Sequence, residues 1–401
     1  LSSITTTAEP HETTVIEQEF HTGGVITTSL AHSVHDTYSA FLSPLLPILI
    51  ENLGISKTAA GMLSVFYQGP SLLQPLIGHL GDRTDLRMLV VLAPTLSAII
   101  FTILGLSPSY AVIALLLVIG GFNSAGLHAI GPVITGQLGG RSLGRAMSFW
   151  MVGGELGRTL GPMITVTAVS YLTPSGLPAL IPGGILASLI VYVRINRLPD
   201  WRPPASETIA WQNAVAQMKP VLLPLALVLA ARSLLVMSLS TFLPTYMTDQ
   251  GESLWTAGAS LSIMQAAGVA GALLGGSLSD RLGRRLVMVS MSAAAPIFAL
   301  IFLYTPQGLL RMMVLVAVGF TLLSTTPVLM ALVQERVAGG RALANGIFMA
   351  FNFLITSAAV VIIGVLGDRL GLQSALLTGT IVMLIGTPFV FLLFQKNRSH
   401  A

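Results

Sequence analysis

An all-α membrane protein, with twelve transmembrane helices in two pseudo-symmetric six-helix bundles, is the fold this sequence predicts. Three observations lead there. The 401 residues are 53% hydrophobic and only 9% charged, twelve apolar runs have spanning length, and two short motifs each recur once at nearly equal separation. A soluble domain carries about 25% charged residues to keep its surface wet, so lipid is the better match as solvent. The 40 Gly and 22 Pro suit closely packed, locally broken membrane helices, and the mean hydropathy of +0.81 points the same way.

The formal charge of +4 and the pI near 9.6 would suggest a nucleic-acid partner in a soluble chain. Here the basic residues sit between apolar runs, so they read as topology signals and no nucleic-acid partner is expected. Absence of cysteine excludes a disulfide framework, a thiolate metal site and a cysteine nucleophile.

Residues 1–22 are rich in Thr and Glu and lack a long apolar run, which reads as a disordered cytoplasmic tail rather than a signal peptide. A bilayer core of about 30 Å needs roughly 20 apolar residues at 1.5 Å each. Runs of that kind at 24–51, 58–80, 87–106, 110–138, 145–172 and 176–195 make a first bundle over 23–195. A linker over 196–219 follows, with Pro199, Pro203 and Pro204 and a short amphipathic helix near Trp211. The second bundle, 220–395, holds runs at 218–248, 256–279, 286–305, 309–335, 342–366 and 373–395, before a tail over 396–401.

Orientation follows from the loops. With the N-terminus inside, fifteen of the twenty Lys and Arg fall on the inner side, and only Lys57, Arg311 and Arg369 fall outside. That bias puts both termini in the cytoplasm.

Gly78-His79-Leu80-Gly81-Asp82-Arg83 follows the second run, and Gly276-Ser277-Leu278-Ser279-Asp280-Arg281 follows the eighth. Gly139-Gly140-Arg141 and Gly339-Gly340-Arg341 recur at nearly the same separation, before the fifth and eleventh runs. A duplicated six-helix unit explains both, and such halves suit alternating access about a midplane site.

At these loops the sequence resembles the major facilitator superfamily, over residues 24–395. The resemblance implies a gating role for Gly78, Asp82, Arg83, Arg87, Asp280 and Arg281, the aspartate stabilising one conformer near a helix N-terminus. The fifth run, with Gly153, Gly157, Gly161 and Pro162, is similar to the Gly-Pro motif of drug:proton antiporters in that superfamily. Physically the same glycines permit close helix approach, and both readings stand. His32-x-x-His35-Asp36, Leu127-His128 and Leu160-Gly161-Pro162 resemble the fosmidomycin-resistance group, from which the chain departs by carrying Glu155 and Arg158.

An ionisable residue inside a membrane helix is costly unless paired or facing a water-filled cavity, so each is a functional candidate. Asp36, Glu155, Arg158 and Arg232 fall within about 5 Å of the midplane by helix rise, with His32 and His128 about 6 to 8 Å nearer the cytoplasm. Asp36, Glu155, His32, His35 and His128 are the candidate proton-coupling groups. Arg232 and Arg158 are candidates for gripping an anionic group, with Asn123, Tyr38, Gln68, Gln265 and Asn352 beside them. For Glu155 and Arg158 a structural pair is an equal alternative; Tyr67, Phe149, Trp150, Gln334 and Asn345 are weaker wall candidates.

Neither a phosphate-binding loop, a His-Glu-x-x-His motif nor a nucleophile elbow occurs, so no enzyme is expected. The resulting expectation is a proton-coupled secondary transporter, an exporter (antiporter) of a small anionic or zwitterionic compound or drug. It would sit as a monomer in a bacterial-type inner or plasma membrane, with the proton gradient as energy source and no cofactor or resident metal. Organic-anion uptake by symport stays open, as does divalent-metal transport through His32, His35, Asp36, His128 and Glu155.

Overall fold

The computed structural model describes residues 19–81, 83–195, 211–336 and 341–394, without the side chains of 211–215, 217, 334–336 and 341–346. Asp82 and the side chains of Gln334 and Asn345 therefore lie outside the described residues, as do residues 1–18 of the expected N-terminal tail, the C-terminal tail and most of the expected linker.

The first half comprises α1 (Thr22–Ser39), α2 (Leu42–Leu53), α3 (Lys57–Gln68), α4 (Gln74–Gly81), α5 (Arg87–Ile103), α6 (Tyr110–Leu138), α7 (Leu143–Leu172) and α8 (Ile181–Ile195). The second comprises α9 (Trp211–Asp249), α10 (Leu254–Leu282), α11 (Arg284–Tyr304), α12 (Leu309–Arg336), α13 (Arg341–Leu370) and α14 (Leu372–Gly386). Twelve spans result, because α1 with α2 forms the first and α3 with α4 the second. Trp211 opens α9 directly, so among the described residues the expected short helix near Trp211 is continuous with the seventh span, whose apolar part runs over Met218–Asp249.

Proline explains the broken spans. Pro44 has no N–H to give the carbonyl of Ala40, and its ring crowds that turn, so the helix restarts at Leu42. Pro70 likewise initiates the 3₁₀ segment Gly69–Leu73 between α3 and α4. Structure repeats where sequence does. Pro94 and Pro296 lie inside α5 and α11, and Ser56 and Ser253 cap α3 and α10, each accepting from the backbone N–H three residues on.

Nine stretches among the described residues are long and apolar enough to cross a membrane by themselves. The three remaining spans, α1/α2, α3/α4 and α7, are broken or carry the polar groups described below. Large apolar side chains such as Leu115, Leu186 and Ile385 are exposed on the outside of the bundle, a surface suited to acyl chains.

Contacts between the halves fall at the end away from the termini. Ser43 Oγ donates to the carbonyls of Ser240 and Thr241, Lys57 pairs with Asp249 at 3.1 Å, and Ser262 Oγ accepts from Met163 N–H. One apolar core there includes Phe41, Leu63, Phe242, Tyr246 and Val360 and so joins both halves. Toward the termini it gives way to two separate cores, one around Leu127, Trp150 and Val191, the other around Leu225, Val328 and Phe348. Among the described residues, the bundle is closed at the far end and its two cores are parted at the end bearing the termini.

Candidate functional site

Small residues bring α1 and α7 together. Gly153 lies against the Ser29 carbonyl, Gly157 against Ser33 and Thr37, and Gly161 against Thr37 and Ala40. At a four-residue spacing these glycines form one stripe of α7, and the backbones approach to a distance that side chains would forbid. Gly154 belongs to the same seam: a Cβ there would lie 2.6 Å from His32 Nε2 and 3.0 Å from Asp36 Oδ2. The glycines thus clear the space in which the polar groups meet.

Asp36 is at the centre. Its Oδ2 accepts from Arg158 Nη1 at 2.8 Å and lies 3.3 Å from His32 Nε2; its Oδ1 is 3.9 Å from both His35 Nε2 and His128 Nε2. Arg158 uses its other terminal nitrogen on Glu155, one turn away on the same helix. The carboxylate side chain is 4% exposed, whereas Arg158, His128 and Glu155 are 38%, 29% and 23% exposed. The buried anion therefore reaches the space between the halves through these three residues.

The histidines are oriented from behind. His32 Nδ1 is 2.9 Å from the Trp150 carbonyl, and its ring stacks on the indole at 4.1 Å between centroids. His128 Nδ1 is 2.9 Å from the Ser124 carbonyl. His35 Nδ1 is 2.6 Å from Ser97 Oγ, which also accepts from Asn123 Nδ2 at 3.0 Å. His35 Nε2 is buried without a hydrogen-bond partner.

Asp36, His32, His35, His128, Arg158 and Glu155 are thus brought together, while other expected positions are not. Arg232, a candidate for gripping an anionic group, does not join this cluster. Instead it is buried against α12, donating to Thr325 Oγ1, Thr326 Oγ1 and the Leu322 carbonyl, with no carboxylate at ion-pair distance among the described residues. Tyr38 gives its hydroxyl to the Leu180 carbonyl at 2.6 Å, and Asn123 gives its amide N–H groups to Ala93 and Ser97. Both are engaged in helix packing rather than offered to a ligand. Gln68, Gln265 and Asn352 are half-buried on α3, α10 and α13.

At the loops, Arg83 is exposed, Gly78 is half-buried, and Asp280 and Arg281 are exposed on the last turn of α10. Arg87 pairs with Asp85 at 2.6 Å, and this hydrogen-bonded partner holds the Asp85 carboxyl below the usual range. Arg311, expected in an outer loop, is buried, bonded to Tyr246 Oη at 3.0 Å and set over the Phe302 ring. Sequence reading missed Ser97, the carbonyls of Ser124 and Trp150, and the Thr325–Thr326 pair. Only the last had a signal, two adjacent hydroxyls in an apolar run.

His32, Asp36 and His128 offer ligand atoms within 4.8 Å of one another, a spacing that could hold a metal ion. The fit is poor, because a guanidinium already bonds Asp36 Oδ2 and would stand beside the cation.

The family model for the Major Facilitator Superfamily matches residues 28–360. The chain belongs to this superfamily. It is 24% identical over 385 residues to the fosmidomycin resistance protein of Escherichia coli (strain K12), covering 92% of each chain. Its fold is similar to a bacterial homologue of the human lysosomal transporter Spinster, solved inward-facing and unoccupied, with a TM-score of 0.76, 15% identity, and coverage of 93% of this chain and 97% of that one. The nucleoside transporter NupG matches with a TM-score of 0.75 and 16% identity, over 93% of this chain and 100% of that one. The protein is an integral membrane transporter and not an enzyme.

Proposed function

We propose that this transporter is a proton-coupled exporter, an antiporter that moves a small anionic or zwitterionic compound or drug by alternating access. It works in a bacterial-type inner membrane, with both termini in the cytoplasm and the proton gradient as energy source. The observation that carries the reading is the buried carboxylate of Asp36, held between Arg158 and His32 beside the space that separates the halves. A proton taken up beside this carboxylate competes with Arg158 for it, so one event changes both the charge of the site and the freedom of a cation. Arg232 adds a second cation on the opposite half, bound among the described residues by neutral groups and suited to a carboxylate, phosphonate or phosphate.

The basic inner loops support cytoplasmic termini, and the parted end would then face the cytoplasm. Resistance to fosmidomycin, the property for which the Escherichia coli relative is named, supports export. The test is tracer flux in proteoliposomes under an imposed pH gradient, with fosmidomycin as first probe and a panel of small anions and zwitterions beside it. Tracer driven opposite to the proton gradient is expected. Tracer driven along it would make the protein a symporter, and flux indifferent to the gradient across the panel would end the proton-coupled reading.

A further inference from the structure

Two ring nitrogens point at each other in the middle of the site, His32 Nε2 and His128 Nε2, 3.2 Å apart. Their partners on the far side decide which atoms carry hydrogen. His32 Nδ1 meets the carbonyl of Trp150 and His128 Nδ1 the carbonyl of Ser124, each at 2.9 Å and nearer than the Ser124 hydroxyl, 3.3 Å from His128 Nδ1. A carbonyl oxygen only accepts, so each Nδ1 is the N–H of its ring. In two neutral rings both Nε2 atoms are then bare acceptors, and facing acceptors at this distance repel and leave buried polar atoms unpaired. Two added protons would set N–H against N–H, one imidazolium against another. A single proton satisfies both atoms as one N–H···N bond.

The surrounding charges lead to the same number. Asp36 and Glu155 contribute two negative charges and Arg158 one positive, so one proton on the histidines brings the cluster to neutrality. Asp36 flanks the pair, its Oδ2 3.3 Å from His32 Nε2 and its Oδ1 3.9 Å from His128 Nε2. Among the described residues, the titratable or charged groups beside the pair are His35 and Asp36 from α1, Glu155 and Arg158 from α7, and Tyr67 from α3. Among the described residues, α5 and α8 contribute the Ser97 hydroxyl and no charge at this level.

We infer that His32 and His128 hold one shared proton between their Nε2 atoms, and that Asp36 is the counter-ion of this proton rather than its carrier. This inference rests on the proton-coupled reading of the same site and names the atoms that do the coupling. His128 faces the space between the halves and exchanges the proton with water; His32, covered by Trp150, receives it from within. His35 lies behind, fully buried against Ser97, and stays outside the exchange.

Coupled and independent histidines differ in how many protons they bind. Proton uptake by the purified, chelator-treated full chain is measured from about pH 8 to about pH 5, for wild type, His32→Asn, His128→Asn and the double variant. Asparagine keeps an N–H near the carbonyl that each Nδ1 serves. Wild type is expected to take up one proton more than the double variant, and each single variant also one. A difference of two protons, or of none, overturns the shared proton.

Nitrogen NMR of ¹⁵N-histidine-labelled wild type needs no folded variant. Both Nε2 signals are expected to shift together and to show coupling across the N–H···N bond, and two uncoupled bare Nε2 signals overturn it. Zinc uptake by the chelator-treated wild type that displaces the proton and is lost in His32→Asn would give the pair to a metal instead. One shared proton in a chain that shows no pH-driven flux would support the pair and overturn the transport reading.

Discussion

Arg158 and Asp36 meet across the seam of two helices, Nη1 to Oδ2 at 2.8 Å, with the carboxylate buried and the guanidinium partly open to the space between the halves. The pair is asymmetric, and that asymmetry sets what each substitution does. Removing the arginine strands a buried anion; removing the carboxylate leaves Arg158 with Glu155.

A double-mutant cycle with Asp36→Asn and Arg158→Gln is therefore expected to show coupling of about 1 to 3 kcal/mol, below the full value for a buried pair because Arg158 is partly solvated. Arg158→Gln is the more damaging single change. Thermal unfolding of the four proteins in detergent, at fixed protein and detergent concentration, measures the cycle. Additive effects would mean that the contact has no energetic content.

The glycine seam makes a steric prediction. Gly157→Val would drive a side chain into the Ser33 carbonyl and the Thr37 amide, so α1 and α7 must part, at a cost of about 2 kcal/mol or more and with loss of transport. Gly144→Ala, at a helical position where an added Cβ meets nothing within 4 Å, is expected to be neutral or slightly stabilising. Melting temperature and flux of the two variants separate crowding from general intolerance to change.

Closure of the far end depends on a cap that crosses the halves. Asp368 on α13 accepts from Lys57 N–H at 2.6 Å, Thr58 N–H at 2.9 Å and Thr58 Oγ1 at 2.5 Å, at the start of α3. Loss of such a cap is worth about 1 to 2 kcal/mol, enough for a five- to thirtyfold shift toward opening. Because the chain has no cysteine, a single Thr241→Cys reporter in the closed seam labels without background. Its labelling from the far side is expected to rise in Asp368→Ala, and an unchanged rate would remove this cap from the gate.

Arg232 should matter by geometry as well as charge. Arg232→Lys keeps the charge but cannot reproduce the hydrogen bonds to Thr325, Thr326 and Leu322 together. Binding of anionic compounds, selected by thermal shift, is expected to weaken about tenfold or more in Arg232→Lys and further in Arg232→Ala. Equal affinity in all three proteins would place the anion elsewhere.

Much of this was legible in the sequence because it is periodic. Twelve runs and the doubled Asp-Arg loops outline two bundles, and the i, i+4 spacing puts His32 and Asp36 on one face of α1. What periodicity leaves open is how each helix is turned against its neighbours. Arg232 shows this, since its partners are hydroxyls of α12, ninety or more positions along the chain. His35 is similar, bonded to Ser97, a residue with no charge or motif to distinguish it. Hydroxyls and carbonyls acquire a role only through packing, and the four-residue glycine spacing on α7 marks a close approach without saying that α1 is the helix it meets.

The most direct test of the account compares two fluxes in the same Asp36→Asn proteoliposomes: exchange of the selected compound without a gradient, and its accumulation under an imposed pH gradient. Removing the counter-ion of the transported proton should leave exchange measurable and abolish gradient-driven accumulation. Accumulation at the wild-type level in Asp36→Asn would contradict the account.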